Sequence, residues 1–552
     1  MQDRPLPVKH RQGTIVTPGR SNHSKRQRIT ITSRSKLTPP MDRQPAASET
    51  QPNRGGSLAS DTFSKSLLLI LGLMVLQRGV GFFRSFFVCD SLSPEQIGRW
   101  DLAFNFLVVA APMAVLGIPG SFGRYLPSFQ ASGQSRRVLR QTLIACLSLT
   151  LMATFALWFS ADWIAKHFLG DRENVFLARL ITIGLFLPIT FNFFTSWFTG
   201  RCLNRIVFRI QCTQSISFAA LCLGLLYWQP PTAEAIVCAL FGSYAIALML
   251  CLLYVHVDRH ADGPTKATRG HMWKTLLPFA VWFWLADFVM GLTGICDRLL
   301  IVNLIPHPTS SAEQTQHIQH LVGQYHTACI IPLVLASIGA MISSTGLPYL
   351  STQWEQGNRE AVSTRINHLI QGTAALCLVA CTMLAFVGPA LFHLLWGDKF
   401  ALGLRLLPIC LVFASFSAIA TVATAYLWCI KKARMTCLLM AMGVLCNALV
   451  GWLLIDRWGV FAVAASTLAA QMLSFVLVVA YNTRHGLQLL PGTVILPAAL
   501  FASVFGPWHA LASLLGMIAI ALGGESLLTT SARTKLCAQV ANTLRPRTKP
   551  GY

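Results

Sequence analysis

Apolar residues occur in long uninterrupted runs between residues 66 and 528, with short polar segments between the runs. A run of about 20 residues can cross the hydrocarbon core of a bilayer as a helix, and a membrane β-strand would instead alternate apolar and polar residues. The pattern predicts fourteen transmembrane helices, at 66–88, 102–120, 138–160, 175–198, 206–228, 234–256, 275–297, 318–342, 366–388, 403–430, 435–455, 459–481, 489–505 and 509–528. The last two are short and close together, so twelve spans plus a re-entrant pair is the open alternative.

The composition agrees with a chain that lies mostly in lipid. Of 552 residues, 54% are hydrophobic and only 12% are charged, whereas about 25% of the residues of soluble domains are charged. A soluble enzyme, a coiled coil, a secreted disulfide scaffold and a disordered protein are therefore excluded. The 16 cysteines are scattered without a CxxC pair, so neither a zinc site nor a thiol–disulfide motif is indicated. We expect no metal site and no cofactor. The predicted fold class is an all-α polytopic membrane protein.

The positions of Lys and Arg predict the orientation. With the N-terminus inside, 34 of the 44 basic residues fall in inner segments and 6 in outer loops, as the positive-inside rule requires. We therefore expect both termini on the cytoplasmic side of the cytoplasmic (inner) membrane. Residues 1–62 are expected to be a disordered basic tail. This tail is either a tether to anionic lipid, a plain solvated segment, or sequence upstream of a true start at Met41.

Two parts of the sequence repeat each other. Ile97-Gly98-Arg99-Trp100 follows the first predicted span as Val322-Gly323-Gln324-Tyr325 follows the seventh, with an offset of 225 residues and six spans between them. An even number of spans gives a parallel repeat, with the substrate path expected between the halves. The predicted organisation is the tail (1–62), an N-lobe (63–256), a cytoplasmic linker (257–274), a C-lobe (275–485), two further helices (486–530) and a basic cytoplasmic tail (531–552).

Short motifs near these repeats resemble those of a known family. They are Leu92-Ser-Pro-Glu-Gln-Ile-Gly98, Leu116-Gly117, Arg124-Tyr125-Leu126-Pro127, Asp297-Arg298-Leu-Leu, Val322-Gly-Gln-Tyr325 and Trp396-Gly397-Asp-Lys-Phe400. In their order they resemble the polysaccharide (O-antigen type) flippases of the multidrug/oligosaccharidyl-lipid/polysaccharide exporter superfamily. Arg78-Gly-Val-Gly81-Phe82-Phe-Arg84 is similar to a motif of lipid II flippases, although Ser85 stands where an acidic residue is common. The resemblance implies a V-shaped cavity that opens to one side at a time, and export of a lipid-linked glycan.

Charged residues inside the spans mark the candidate site. Arg78 lies twelve residues into the first span, about 18 Å from its cytoplasmic end. At that depth it must face a wet cavity or a counter-charge. One hypothesis is that Arg78, helped by Arg84, binds the diphosphate of a lipid-linked glycan in a central cavity that polar Gln77 also lines. Asp287, twelve residues into the seventh span, would then release Arg78 or take up a coupling proton. The other hypothesis is a fixed Arg78–Asp287 ion pair.

Five further residues have weaker claims to function. Asp297 and Arg298 lie at the outer edge of the seventh span, where a surface pair is the default expectation and coupling or gating is the alternative. His317, His320 and His326 have no Cys or acidic ligand in the sequence that completes a metal site. We expect these histidines to be solvated.

The leading functional interpretation is a flippase, a transporter and not an enzyme. Its partners would be an anionic lipid-linked glycan, the bilayer and, as candidates, a glycan polymerase and glycosyltransferases; no nucleic acid is implied. A cation-coupled multidrug antiporter of the same superfamily would need buried carboxylates, which the first six spans lack at mid-depth. A glycan polymerase or ligase would need a large outer loop, and the predicted outer loops are short. An ATP-driven pump is disfavoured because the chain has no GxxxxGK[ST] motif.

Reporter fusions test the predicted orientation. Green fluorescent protein fused after residue 130 should fluoresce, and alkaline phosphatase fused after residue 170 should be active, because these sites lie in a basic inner segment and an outer loop. Exchanging the two reporters at the same sites is the control and should silence both. A fluorescent fusion after residue 170 would contradict the orientation.

Overall fold

The computed structural model describes residues 63–122, 125–126, 129, 134–170, 174–201, 203–257, 269–305 and 311–523. The helices in these ranges are α1 (Phe63–Ser91), α2 (Pro94–Ala114), α3 (Ser135–Phe159), α4 (Ala161–His167), α5 (Val175–Gly184), α6 (Phe186–Gly200), α7 (Asn204–Trp228), α8 (Ala233–Val257), α9 (Arg269–Leu304), α10 (Ser311–Glu355), α11 (Arg359–Trp396), α12 (Ala401–Cys429), α13 (Ala433–Trp458), α14 (Val460–Arg484), α15 (Gly492–Leu500) and α16 (Pro507–Gly523). Short 3₁₀ helices lie at Pro119–Ser121 and Phe501–Phe505. The predicted tails, 1–62 and 531–552, and most of the linker 257–274 lie outside the described residues.

Within the described residues, each of the fourteen predicted spans overlaps helical backbone, so the all-α polytopic fold class is confirmed. Within the described ranges, ten helices are long and apolar enough to cross a membrane, with α5 and α6 together forming one of them. The C-terminal pair is shorter, at Gly492–Phe505 and Pro507–Ala521. The alternative of twelve spans plus a re-entrant pair therefore stays open.

The second helix begins eight residues before its predicted start at residue 102. The Ser93 hydroxyl accepts a hydrogen bond from the Gln96 N–H at 3.4 Å, and a proline occupies the first helical position, which is a strong helix start. The prediction missed these turns because Glu95, Arg99 and Asp101 interrupt the apolar pattern. In the fold each of the three has a partner of opposite charge, or a histidine.

Helices α9, α10 and α11 are longer than a bilayer requires. They contain 36, 45 and 38 residues, which corresponds to lengths of about 54 to 68 Å. The expected outer loop at 298–317 and the inner loop at 343–365 are therefore mostly helical, which corrects the prediction. The physical reason is that polar residues at a helix end fail a hydrophobicity criterion, yet they keep their backbone hydrogen bonds within the helix.

Helices α10 and α12 form the most extensive helix pair, and α12 is the most deeply buried of the candidate spans. Gly339 of α10 lies against the backbone of Ala418 in α12, so closely that a Cβ atom at residue 339 would stand 2.4 Å from the Ala418 carbonyl oxygen. Small residues permit such close packing, which matters in lipid because apolar burial alone gives helices little reason to associate.

The crossing of α2 and α10 is built on the two repeated glycines. A Cβ atom at Gly98 would lie 1.9 Å from the carbonyl oxygen of Gln319, and a Cβ atom at Gly323 would lie 1.9 Å from that of Pro94. Both glycines, and both of their contact residues, are separated by the offset of 225 residues. The contact is therefore reciprocal, as expected where two repeated units meet on a pseudo-two-fold axis. The exact lobe boundaries stay a prediction.

The C-terminal helices pack against α11 through buried polar side chains. The Asn367 amide donates to the Gln488 carbonyl at 2.7 Å, and the Thr493 hydroxyl donates to the Asn367 side-chain oxygen at 2.6 Å. Gln371 donates in turn to the Thr493 hydroxyl at 3.2 Å. Interhelical hydrogen bonds of this kind hold membrane helices together, so α15 is attached to the bundle.

Replacing the crossing glycines should destabilise the protein. We expect Gly98→Ala and Gly323→Ala each to cost about 1–3 kcal/mol, because an added methyl group overlaps a rigid backbone. The measurement is the thermal unfolding midpoint of the purified protein in detergent. Gly372→Ala in α11 is the matched control, since no atom lies within 4 Å of a Cβ there. Equal midpoints for all three variants would refute the close crossing.

Candidate functional site

Arg78 lies in a cavity of about 510 Å³ between α1, α10 and α11. The lining is largely apolar and includes Met74, Phe82, Leu335, Met341, Leu384 and Leu391, with Ser337 as a polar member. Among the described residues, Arg78 makes no ion pair. The deep arginine predicted from the sequence therefore does face a cavity.

Arg84 does not share this cavity. Six residues along a helix correspond to a rotation of about 240°, so Arg84 leaves α1 on a different face from Arg78. Its guanidinium lies 4.1 Å from the ring centroid of Phe218 in α7, a cation–π contact. The expectation that both arginines bind one ligand group side by side is not supported by this geometry. Gln77 is partly buried and is not among the residues that line the cavity.

Asp287 is partly buried in α9, and no ion pair joins it to Arg78 in the described part of the chain. The rings of Trp284 and Phe288, on the same helix, stack at 6.0 Å. Helix α9 packs along α2, as the contact of Gly291 with Val109 shows, whereas Arg78 faces α10 and α11. Equal depth in the sequence therefore did not bring the two charges together, and the fixed Arg78–Asp287 pair is wrong.

Asp297 and Arg298 are not a surface pair. Their exposed fractions are 3% and 8%, because α9 continues beyond them to Leu304. Asp297 accepts hydrogen bonds from Tyr325 at 2.5 Å, Asn447 at 2.7 Å and Thr467 at 2.7 Å. These donors come from α10, α13 and α14, so the carboxylate is a buried junction of four helices.

Arg298 reaches across to α2. Its Nε donates to Asp101 at 2.8 Å, and Asp101 also accepts from Asn105 at 3.0 Å and contacts the Nδ1 of His326 at 2.7 Å. Asp101 is 2% exposed. The sequence analysis missed Asp101, which directly precedes the predicted second span. The available signal was its separation from His326, which equals the repeat offset.

Further polar contacts at the same end join α1 and α2 to α10 and to the connection between α11 and α12. Glu95 of α2 contacts the Nδ1 of His320 in α10 at 2.9 Å. Lys399, between α11 and α12, donates to the carbonyl oxygens of Cys89 and Asp90 at the end of α1, at 2.8 and 2.9 Å. We call the contact of Pro94–Asp101 with Gln319–His326 the α2–α10 seam. The basic-residue count predicts that this end is the outer one.

The histidines of α10 serve as contacts within the protein. Among the described residues, no group of three His, Cys, Asp or Glu side chains is placed to hold a metal ion. His320 and His326 each contact a carboxylate, whereas His317 is exposed. The expectation that all three are solvated was therefore wrong for His326, whose side chain is 18% exposed, whereas His320 is 38% exposed as well as in contact with Glu95. These contacts join α2 to α9 and α10 at one end of the bundle. The cavity with Arg78, which has no ion pair within the described ranges, lies elsewhere between α1, α10 and α11.

Comparison with known proteins places this arrangement in context. Residues 63–354 match the model of a family described as "Polysaccharide biosynthesis protein". The lipid II flippase MurJ of Bacillus subtilis (strain 168) is 19% identical over 427 residues, covering 69% of this chain and 75% of that protein.

Solved structures share the fold at low sequence identity. An inward-facing multidrug resistance MATE family transporter of the MOP superfamily superposes with a TM-score of 0.61 at 14% identity, covering 76% of this chain and 98% of that one. MurJ in an inward closed conformation gives 0.61 at 12%, covering 82% and 98%. A MOP superfamily transporter from Pyrococcus furiosus, described as having a binding pocket of reverse polarity, gives 0.57 at 14%, covering 79% and 99%.

Replacing Asp101 by a neutral residue should lower the stability of the folded protein. Asp101→Asn leaves Arg298 buried without its main counter-charge, and breaking a buried pair in this way costs about 3–5 kcal/mol. The thermal unfolding midpoint measures the loss. Glu355→Gln is the control, because the Lys431–Glu355 pair at 3.5 Å is exposed and such pairs contribute little. If both variants shift the midpoint equally, Asp101 does not have the role that its contacts indicate.

Proposed function

Since the chain belongs to the polysaccharide biosynthesis protein family, we propose that it is a flippase that moves a lipid-diphosphate-linked oligosaccharide across the cytoplasmic membrane. The substrate would serve polysaccharide biosynthesis and export. The similarity to a lipid II flippase supports a lipid-linked substrate. The positive-inside count supports the orientation, with both termini in the cytoplasm.

The observation that carries the proposal is Arg78 in its apolar cavity. An arginine in contact with hydrocarbon costs at least about 3 kcal/mol, and within the described residues no carboxylate offsets this cost. A cation among apolar walls fits an amphiphile with an anionic diphosphate and a lipid chain, because Arg forms charge-assisted hydrogen bonds with phosphate oxygens. The cavity separates α1 of the predicted N-lobe from α10 and α11 of the predicted C-lobe. A path between the two halves is expected at such a place.

The remaining candidate residues take separate roles in this proposal. Arg84 lies against Phe218 of α7, outside this cavity, so it is not a partner of Arg78 on one phosphate in this conformation. Asp287, without an ion pair in the described structure, is the candidate for a coupling proton. Asp297 and Arg298 act as gating residues, because they belong to the network that holds one end of the bundle closed.

Transport requires this end to open while the other closes. In an alternating-access cycle, Asp101 would part from Arg298 and His326 when the substrate leaves on the predicted outer side. The buried contacts would be exchanged for contacts with water, so the closed and open forms can be similar in free energy. Translocation needs no bond chemistry, and we assign no catalytic residue.

A cation-coupled multidrug antiporter is the alternative, and a multidrug resistance MATE family transporter shares the fold. The structure does contain a buried carboxylate in α2, Asp101, which the sequence analysis did not count. Arg298 and His326 already bind this carboxylate, so it offers no free site for a second cation. The charge at the cavity, Arg78, is positive and has no carboxylate partner among the residues described, which favours an anionic substrate.

Arg78 variants test the proposed function. In cells that depend on this chain, Arg78→Ala should lower glycan export by about tenfold or more, the equivalent of one lost charge-assisted contact. The lipid-linked intermediate should accumulate on the cytoplasmic leaflet, and thin-layer analysis of extracted lipid measures it. Arg78→Lys should retain partial export because it keeps the charge.

Arg457→Ala is the matched control, since Arg457 is exposed at the end of α13. It should export as the unmodified protein does. Full export by Arg78→Ala, at equal protein abundance, would refute binding of the diphosphate at this cavity.

A further inference from the structure

The wall of the Arg78 cavity offers a ligand very few polar groups. Of the described residues that line it, only Arg78 and Ser337 have polar side chains. The Ser337 hydroxyl already donates a hydrogen bond to the Val334 carbonyl of its own helix at 2.6 Å. A ligand that enters therefore meets the guanidinium donors of Arg78, one hydroxyl oxygen as an acceptor, and otherwise apolar side chains.

This wall suits a lipid chain and does not suit a sugar. Each sugar unit carries several hydroxyl groups, and each hydroxyl group is both a donor and an acceptor of hydrogen bonds. A hydroxyl group that leaves water without gaining a hydrogen bond is unfavourable. Arg78 cannot serve the diphosphate and a set of sugar hydroxyls at once, so a glycan is more stable in water than in this cavity.

The cavity is also too small for an oligosaccharide. Its volume is about 510 Å³, which is space for about 17 groups of the size of a water molecule, at about 30 Å³ each. A diphosphate fills about half of this space, and the remainder accommodates a few carbon atoms. Val75 in the lining is 65% exposed, so the cavity has an open side through which the rest of a ligand leaves.

Arg78 lies in the middle of the apolar wall and not at its edge. Along α1, Met74 lies one turn before Arg78 and Phe82 one turn after it, and both line the cavity. On α10 the lining extends from Ile331 to Met341, about 15 Å along the helix axis. A diphosphate bound to Arg78 therefore has hydrocarbon beside it on both sides, within reach of the first carbon atoms of its lipid.

We infer that the Arg78 cavity binds the junction between the diphosphate and the lipid chain, and that the glycan stays outside it. The diphosphate binds to Arg78, and the carbon atoms next to it lie against Leu335, Ile338 and Leu384. The cavity then selects the lipid carrier and is indifferent to the glycan, so that different glycans on one lipid are accepted. This inference deepens the proposed function and rests on it for the identity of the substrate.

Short diphosphate esters test the inference without a transport assay. Methyl diphosphate and geranyl diphosphate carry the same charge and differ in their hydrocarbon. The diesters geranyl methyl diphosphate and geranyl glucosyl diphosphate also carry the same charge, and they differ by a sugar. Isothermal titration calorimetry on the full chain in nanodiscs measures the dissociation constants, and empty nanodiscs give the blank for partition into lipid.

We expect geranyl diphosphate to bind more tightly than methyl diphosphate by about tenfold or more, because further CH₂ groups leave water for the cavity wall. The two diesters should bind equally to within about threefold, a smaller difference than a typical hydrogen bond produces. Arg78→Ala should reduce the binding of all four compounds to the blank.

A variant of the wall separates the lipid contact from the charge. Ile338→Trp fills the space beside Arg78 with an indole ring, so the preference for geranyl over methyl diphosphate should disappear. Leu333→Trp is the matched control, since Leu333 lies on the same helix, is 51% exposed and is not part of the lining; it should keep the preference. If Ile338→Trp does not fold, Ile338→Asn places a polar amide in the wall and should also lower the preference.

Equal binding of methyl and geranyl diphosphate by the unmodified protein overturns the inference, and so does any larger difference between the two diesters. Both outcomes leave diphosphate binding at Arg78, and with it the proposed function, in place. If no diphosphate binds in a manner that depends on Arg78, the proposed function fails and the inference fails with it.

Discussion

The ion pair between Asp101 and Arg298 joins α2 of the predicted N-lobe to α9 of the predicted C-lobe. Much of the structure follows from the need to keep these two charges together. Both side chains lie where water cannot solvate them, so each is tolerable only while the other is in place. The close glycine crossing at Gly98 and Gly323 brings α2 near enough to α10 for His326 to join the pair. These buried polar contacts hold one end of the bundle closed, and they would be exchanged for contacts with water if this end opened.

The cavity at Arg78 depends on the same closure. Because α2 meets α9 and α10 at the Asp101 end of the bundle, space remains between α1, α10 and α11, away from that end. In the part of the chain that the structure describes, Arg78 has no counter-charge of the kind that Asp101 provides to Arg298. In the proposed function, Arg298 is a structural charge, whereas Arg78, which has no carboxylate partner among the described residues, binds the substrate. An anionic amphiphile would provide a counter-charge to Arg78, as Asp101 does to Arg298.

Sequence reasoning expected the cavity at Arg78 but did not find the partners of the buried charges. Arg78 was correctly expected to face a cavity because a helix fixes its distance from the membrane surface. Its pairing with Asp287 was wrong, because depth says nothing about which face of which helix is turned inward. Asp297 and Arg298 were placed at a surface because the apolar run ended there, although α9 continues to Leu304.

The sequence by itself determined the helices, their membrane length and the repeat of 225 residues, since backbone groups in lipid must be paired within each segment. Those properties are local, and each can be found from one stretch of chain. Only the tertiary structure decided that Asp101 would meet Arg298 and His326, and that Arg84 would turn away from Arg78. Such contacts depend on how helices rotate and cross, which is set by packing of small residues far apart in the chain.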